Sequence, residues 1–235
     1  NITDVQLSIR SLYHSFTNKR WIIKFNNKVE DVKFTNRKDL FNLFNKGPVT
    51  PDHVIRIKSE PLIIPNKHLS SSKIISNHIN AYIKKYKNYF KKYKKNITNS
   101  KIADPLPRII ILEGIGFLSI GLNKKEMQVS YDIFDAMKKV IIKANLVSKF
   151  KSINNTDIFK MEYWPLERAK LNNKNTKKFN GNVAVITGGA GKIGSAIANK
   201  FINENIEVIL LDKNFKNLDI NIKKKCLCIV CDLTN

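Results

Sequence analysis

Apolar and polar positions change period several times along the chain, and each change marks an element. Ile2, Val5, Leu7, Ile9, Leu12 and Tyr13 supply the apolar positions of a helix over residues 1–20, and Trp21–Phe25 reads as a strand. Asp39–Phe44 is a short helix stopped by Gly47-Pro48, after which a proline turn feeds the apolar segment up to Lys58. Tyr82, Tyr86, Tyr89 and Tyr93 recur at i, i+4, i+7 and i+11, which predicts one face of a helix over 75–95, with lysines filling much of the rest. Arg108–Leu112 and Phe117–Gly121 are two strands joined by the Glu113–Gly116 turn. Met127, Tyr131, Phe134, Met137, Val140 and Ile141 keep helical spacing through Lys124–Ala144. No internal repeat is visible.

The last quarter of the chain has a different texture. An apolar run, Val183–Ile186, enters a glycine-dense turn and then the helix-like Ser195–Phe201. A second strand, Glu207–Asp212, ends in an acid, and a third, Cys226–Cys231, is followed by Asp232-Leu233. Strand, turn, helix and strand in this order predict a dinucleotide-binding unit. Gly188 permits the tight turn, Gly191 lets the backbone approach a diphosphate, and Gly194 lets the helix pack closely. The helix start then offers unpaired amides and a positive dipole end to the anion. Asp212, 24 residues after Gly188, stands where a carboxylate accepts the ribose hydroxyls. That acid favours NAD over NADP, and the neighbouring Lys213 works the other way. Thr187, Gly188, Gly191, Lys192, Ile193, Gly194, Asp212, Asp232 and Leu233 form the expected cofactor set.

The segment 172–180 is polar and rich in Asn and Lys, and it predicts a linker between a domain over 1–171 and one over 181–235. The fold class expected is α/β. The chain opens on Asn rather than Met and stops soon after a strand, so it reads as a piece of a longer polypeptide.

Charge adds little that is specific. The net charge of +23 is nearly all lysine, spread along 235 residues with abundant Asn and Ile. A compositional bias on a solvated surface accounts for it better than a nucleic-acid footprint, and the tyrosine-lysine helix reads as amphipathic rather than as a base-stacking platform. No apolar stretch is long enough for a membrane span and no leader is present in the sequence, so a cytoplasmic protein with a small-molecule substrate, acting as a homo-oligomer, is expected. The three cysteines, within C-x-C-x-x-C, read as small residues buried in a strand rather than as metal ligands or disulfide partners.

Thr187–Gly194 and Cys231-Asp-Leu-Thr234 resemble the short-chain dehydrogenase/reductase family, in which the Asp corresponding to Asp232 usually contacts the adenine. One branch usually has glycine where Lys192 stands. The Thr-Gly-x-x-Gly-x-x-Gly spacing also fits the extended, sugar-nucleotide-modifying branch, so the branch stays open. The family's Tyr-x-x-x-Lys pair and Ser lie downstream of the third strand, which leaves no catalytic residue in this sequence.

Upstream, three strings resemble the bifunctional rhamnulose-1-phosphate aldolase/alcohol dehydrogenase group. They are Gly47–Arg56, Leu106–Gly116 and Met161–Leu171, the last being the most specific. The resemblance implies the C-terminal part of a class II aldolase-like α/β domain followed by the start of a Rossmann doubly wound sheet. It implies ketose-phosphate cleavage and NAD-linked turnover of an alcohol or aldehyde such as lactaldehyde. It also implies a divalent metal such as zinc, whose ligands are expected upstream of residue 1. His14, His53, His68 and His78 form no H-x-H pair, and a capping or packing role is the preferred reading of His53. Two rival readings are a sugar-nucleotide epimerase or dehydratase, and a basic binding module without catalysis.

Overall fold

The computed structural model describes residues 1–97, 101–171 and 178–234. Two compact units divide the chain, and it is α/β in both.

The N-terminal unit opens with helix α1 (Ile2–Thr17), closed by Asn18 in the left-handed conformation that this residue type tolerates. Strand β1 (Ile22–Asn26) and helices α2 (Val29–Thr35), α3 (Leu40–Phe44) and α4 (Pro51–Ile57) follow. Pro51 starts α4 where a missing amide hydrogen is harmless. Strand β2 (Leu62–Ile64) leads to α5 (Ser72–Tyr93), capped by the Ser71 side chain. Strands β3 (Ile109–Leu112) and β4 (Gly116–Gly121) form a hairpin, and α6 (Lys124–Val147), α7 (Asn155–Glu162) and α8 (Pro165–Ala169) complete the unit.

The sheet order is β1-β4-β3-β2, antiparallel except for β2 and β3. Every residue of β3 and β4 is buried, because apolar side chains on both faces of the hairpin are covered. Ile109, Ile111 and Phe117 pack with Phe134, Met137 and Ile141 of α6 and with Phe34 and Phe44. Helices α1 and α5 pack on each other, and on β1 and β2 respectively.

Two lysines depart from the expected solvated surface. Lys138 is buried against Asp31 at 2.6 Å and Asp135 at 3.0 Å, and Lys58 is buried in a cluster described below. The tyrosine face of α5 does turn inward. Tyr82 and Tyr86 are buried, and Tyr89 and Tyr93 pack half-buried beside Phe159 and Tyr163, so their ring faces are spent on the core.

The C-terminal unit carries β5 (Val183–Thr187), α9 (Lys192–Asn203), β6 (Glu207–Asp212), α10 (Ile220–Lys225) and β7 (Leu227–Val230). Its three strands are all parallel, in the order β5-β6-β7. One face is packed: Val208 and Leu210 meet Ala198 of α9, with Phe215 and Leu218 from the loop after β6. On the other, Val183 (47% exposed), Val185 (58%), Leu227 (58%) and Ile229 (43%) stay open to solvent. This corrects one expectation. Cys226, Cys228 and Cys231 are half-buried, not buried, because β7 is an edge strand and, among the described residues, helices pack on one face of its sheet only. Of the expected linker, residues 172–177 lie outside the described residues, and 178–180 form a turn.

Candidate functional site at the strand ends

The expected cofactor residues fall at the carboxyl ends of three neighbouring parallel strands, the position where open α/β sheets bind ligands. Thr187 ends β5, Asp212 ends β6, and Asp232 and Leu233 follow β7. Gly188 adopts φ 63°, which a side chain would resist. Gly194, one turn into α9, faces the same bend, and a Cβ there would strike the Gly188 carbonyl oxygen. Turn and helix therefore interlock through backbone.

The turn's own amides are partly used. The Gly189 amide donates to the Leu211 carbonyl at 3.2 Å, and the Gly191 amide to the Gly188 carbonyl at 3.1 Å. The Ala190 amide donates to Asp212 Oδ2 at 2.8 Å, while Oδ1 accepts the Lys213 amide at 2.7 Å. The donors left over are those of the α9 start. Its N-cap is Gly191, which has no side chain to cap them, so the first-turn amides of Lys192, Ile193 and Gly194 face outward from the helix end. Lys192 and Ile193 are exposed beside them. An uncapped helix start of 12 residues, a neighbouring carboxylate with spare lone pairs and an exposed lysine make a site for an anion linked to a hydroxylated group.

Lys213 does not stand free. Its Nζ lies 3.1 Å from Asp232 Oδ2. The Thr234 hydroxyl and amide donate to Asp232 Oδ1, and together with Lys213 they hold this carboxyl below the usual range. Sequence order pointed to the acids and glycines. It gave no sign of the Ala190–Asp212 bond or of the Lys213–Asp232 pair, which depend on register between strands.

The three upstream strings converge on the N-terminal unit. Helix α4 packs on α7 and α8, and β3 carries the second string. At their junction Glu162 (1% exposed) and Lys58 (6%) are buried together, with Nζ 3.5 Å from Oε1. The Tyr86 hydroxyl donates to Glu162 Oε1 at 2.6 Å, lies 2.8 Å from the Tyr163 hydroxyl, and accepts from Lys58 at 3.3 Å. The Tyr163 oxygen accepts the Ala103 amide at 3.2 Å. Burial pulls the Lys58 amine down from its usual value, and burial with the nearby Glu162 charge pushes the Tyr86 phenol up. Lys58 also holds φ 72°, a conformation costing a non-glycine residue about 1–3 kcal/mol. Glu162 and Tyr163 belong to the string marked as most specific, which was the available signal for this cluster.

His53 is buried in α4, with Nδ1 2.5 Å from the Thr50 hydroxyl and Nε2 without a hydrogen-bond partner among the described residues, and burial lowers its basicity. Asp52 pairs with Arg56 at 3.7 Å and Lys170 at 3.8 Å. Among the described residues no three His, Cys, Asp or Glu side chains come together as a metal site, so the zinc implied by resemblance finds no ligand set there. No helix among them is long and apolar enough to cross a membrane.

The family described as aldolase class II, second domain, matches residues 2–171. The chain belongs to that family. It is also 29% identical over 204 residues to the protein named uncharacterized oxidoreductase YuxG of Bacillus subtilis (strain 168), a match covering 84% of this chain and 29% of that protein. The chain thus spans under a third of the length of that curated relative. No solved structure matches it.

Proposed function

We propose that this chain is part of a bifunctional sugar-catabolic enzyme, in which a rhamnulose-1-phosphate-type class II aldolase domain joins an NAD-dependent short-chain dehydrogenase with a Rossmann sheet. The observation that carries the second half is the uncapped start of α9 set beside Asp212, at the carboxyl ends of parallel strands. The aldolase half is supported by the family match, and the pairing by the oxidoreductase name of the relative.

The residues fit a dinucleotide. The amides of Lys192, Ile193 and Gly194 would hold the diphosphate, and Asp212 would accept the ribose hydroxyls. Asp232 and Leu233 would border the adenine. Bound NAD supplies a hydride acceptor. The ion pair with Asp232 draws Lys213 from the place where a 2′-phosphate would sit, and Asp212 repels that phosphate, so NAD is preferred to NADP. The domain boundaries proposed are 1–171, 172–180 and 181–235, and the protein is proposed to be a cytoplasmic homo-oligomer.

Calorimetric titration of the chain with NAD and NADP tests this reading. Saturable NAD binding, weaker for NADP and weakened at least about tenfold by Asp212→Ala, is expected. Retention on DNA with no cofactor binding would replace it with the basic-module reading.

A further inference from the structure

We propose that the outward face of α5 is a docking surface for the phosphate backbone of duplex DNA, bound without regard to base sequence. The stretch Pro61–Ala103 contains ten lysines and neither Asp nor Glu. The chain has 19 acids in 235 residues, so an even spread would put about three or four of them in that stretch. A lysine-rich composition raises the number of cations everywhere. It does not strip the acids from one segment. The acids that flank the stretch, Glu60 and Asp104, are engaged by Lys85 and Arg108.

The fold gathers these charges into a ridge. The tyrosine face of α5 turns inward, which leaves Lys84, Lys87, Lys91 and Lys94 together on the other side, at helical steps of three and four residues. All four are exposed, and none makes an ion pair among the described residues. Asn77 and Asn80 extend the same face, also exposed, with amides that can donate to phosphate oxygens. From Lys84 to Lys94 the helix rises about 15 Å. One strand of a duplex carries a phosphate about every 3.4 Å along the axis, so four ammonium groups face about four phosphates.

Two features select the occupant. Proteins that hold single strands stack bases on aromatic rings, and here Tyr89 and Tyr93 pack beside Phe159 instead. A helix that lies on a membrane needs apolar side chains on the face that meets lipid. In this stretch of α5 they are Tyr86, Tyr89, Phe90 and Tyr93, and all four belong to the core side. A straight row of charge with neither feature suits the regular backbone of a duplex. The surface does not depend on the dinucleotide reading.

Fluorescence anisotropy of the full chain with two labelled duplexes of unrelated sequence, each about 20 base pairs long, tests the proposal from about 50 to about 200 mM salt. Both duplexes are expected to bind saturably and equally. A plot of log association constant against log salt should have a slope of about −3 to −4, a loss of about a hundredfold across the range. A single strand of the same length should bind more weakly. These readings use the unaltered chain and stand whatever the variants do. Lys84→Ala/Lys87→Ala/Lys91→Ala/Lys94→Ala should flatten the slope to about −1 or less and weaken binding more than about tenfold at the lower salt. Alanine favours helix, so α5 should persist, which circular dichroism checks. Lys216→Ala/Lys223→Ala/Lys224→Ala/Lys225→Ala removes the same charge from exposed positions of the C-terminal unit and should leave the slope unchanged. Absence of saturable duplex binding, preference for the single strand, or a slope indifferent to the α5 substitutions would each overturn it. So would tighter binding to phosphatidylcholine vesicles containing about one quarter phosphatidylserine than to duplex.

Discussion

The Asp212 carboxylate and the Ala190 amide, 22 positions apart, meet at 2.8 Å and tie the end of β6 to the turn after β5. One oxygen fixes the turn while the carboxylate keeps lone pairs for a ligand. Binding and local stability are therefore coupled at this residue. Asp212→Ala is expected to weaken NAD binding by at least tenfold and to destabilise the C-terminal unit by about 1–2 kcal/mol. Asp212→Asn, which still offers an acceptor, should recover most of the stability and little of the affinity. Cofactor titration alongside urea unfolding separates the two effects.

Gly194 has no room for a methyl group, since its Cβ would meet the Gly188 carbonyl and the Gly189 backbone. These neighbours are main chain and cannot rotate away. Gly194→Ala should cost about 1–3 kcal/mol and shift the α9 start away from the turn. Chemical denaturation followed through the C-terminal unit, together with loss of NAD binding, checks this.

Glu162 and Lys58 are both buried, and each neutralises the other. Removing one leaves a charge stranded. Glu162→Ala or Lys58→Ala should each destabilise the N-terminal unit by about 3–5 kcal/mol. Lys58→Ala/Glu162→Ala together should cost clearly less than the sum. Urea unfolding of the four proteins gives the coupling directly.

Asp104 is set for a pH test. Burial by itself would raise its carboxyl, but Arg108 at 2.8 Å and the Leu106 amide at 2.9 Å overcome that and hold it below the usual 3.8. A carboxyl lowered in the folded state contributes stability above its unfolded pKa, and this is lost as pH falls through the folded one. The stability difference between the protein and Asp104→Asn should therefore be constant above about pH 5 and shrink steadily below 3.8. Urea midpoints across pH 2–7, on the order of five points, measure it.

Much of the architecture was readable because it rests on local period. Glu207–Asp212 is a strand with the bounds its apolar run between two acids predicts, and the lysine-tyrosine helix runs over Ser72–Tyr93. Strand β2 escaped reading because three residues between Pro61 and Pro65 carry no period, and pairing with β3 makes it a strand. Helix α10 escaped because its lysines mask the apolar Ile220 and Ile222, while Asp219 caps it through backbone amides. The Tyr86–Glu162 bond joins residues 76 apart, a separation invisible to any motif. The cysteines were misjudged because apolar spacing tells which residues share a face and not whether anything covers it.

The uncovered row of Val183, Val185, Leu227 and Ile229 has a practical corollary. At high concentration such a greasy strip invites its own kind, so preparations of residues 178–234 by themselves should turn cloudy sooner as temperature and salting-out ions rise. Detergent at low dose, or a bulky charged residue in place of Val185, should keep them clear.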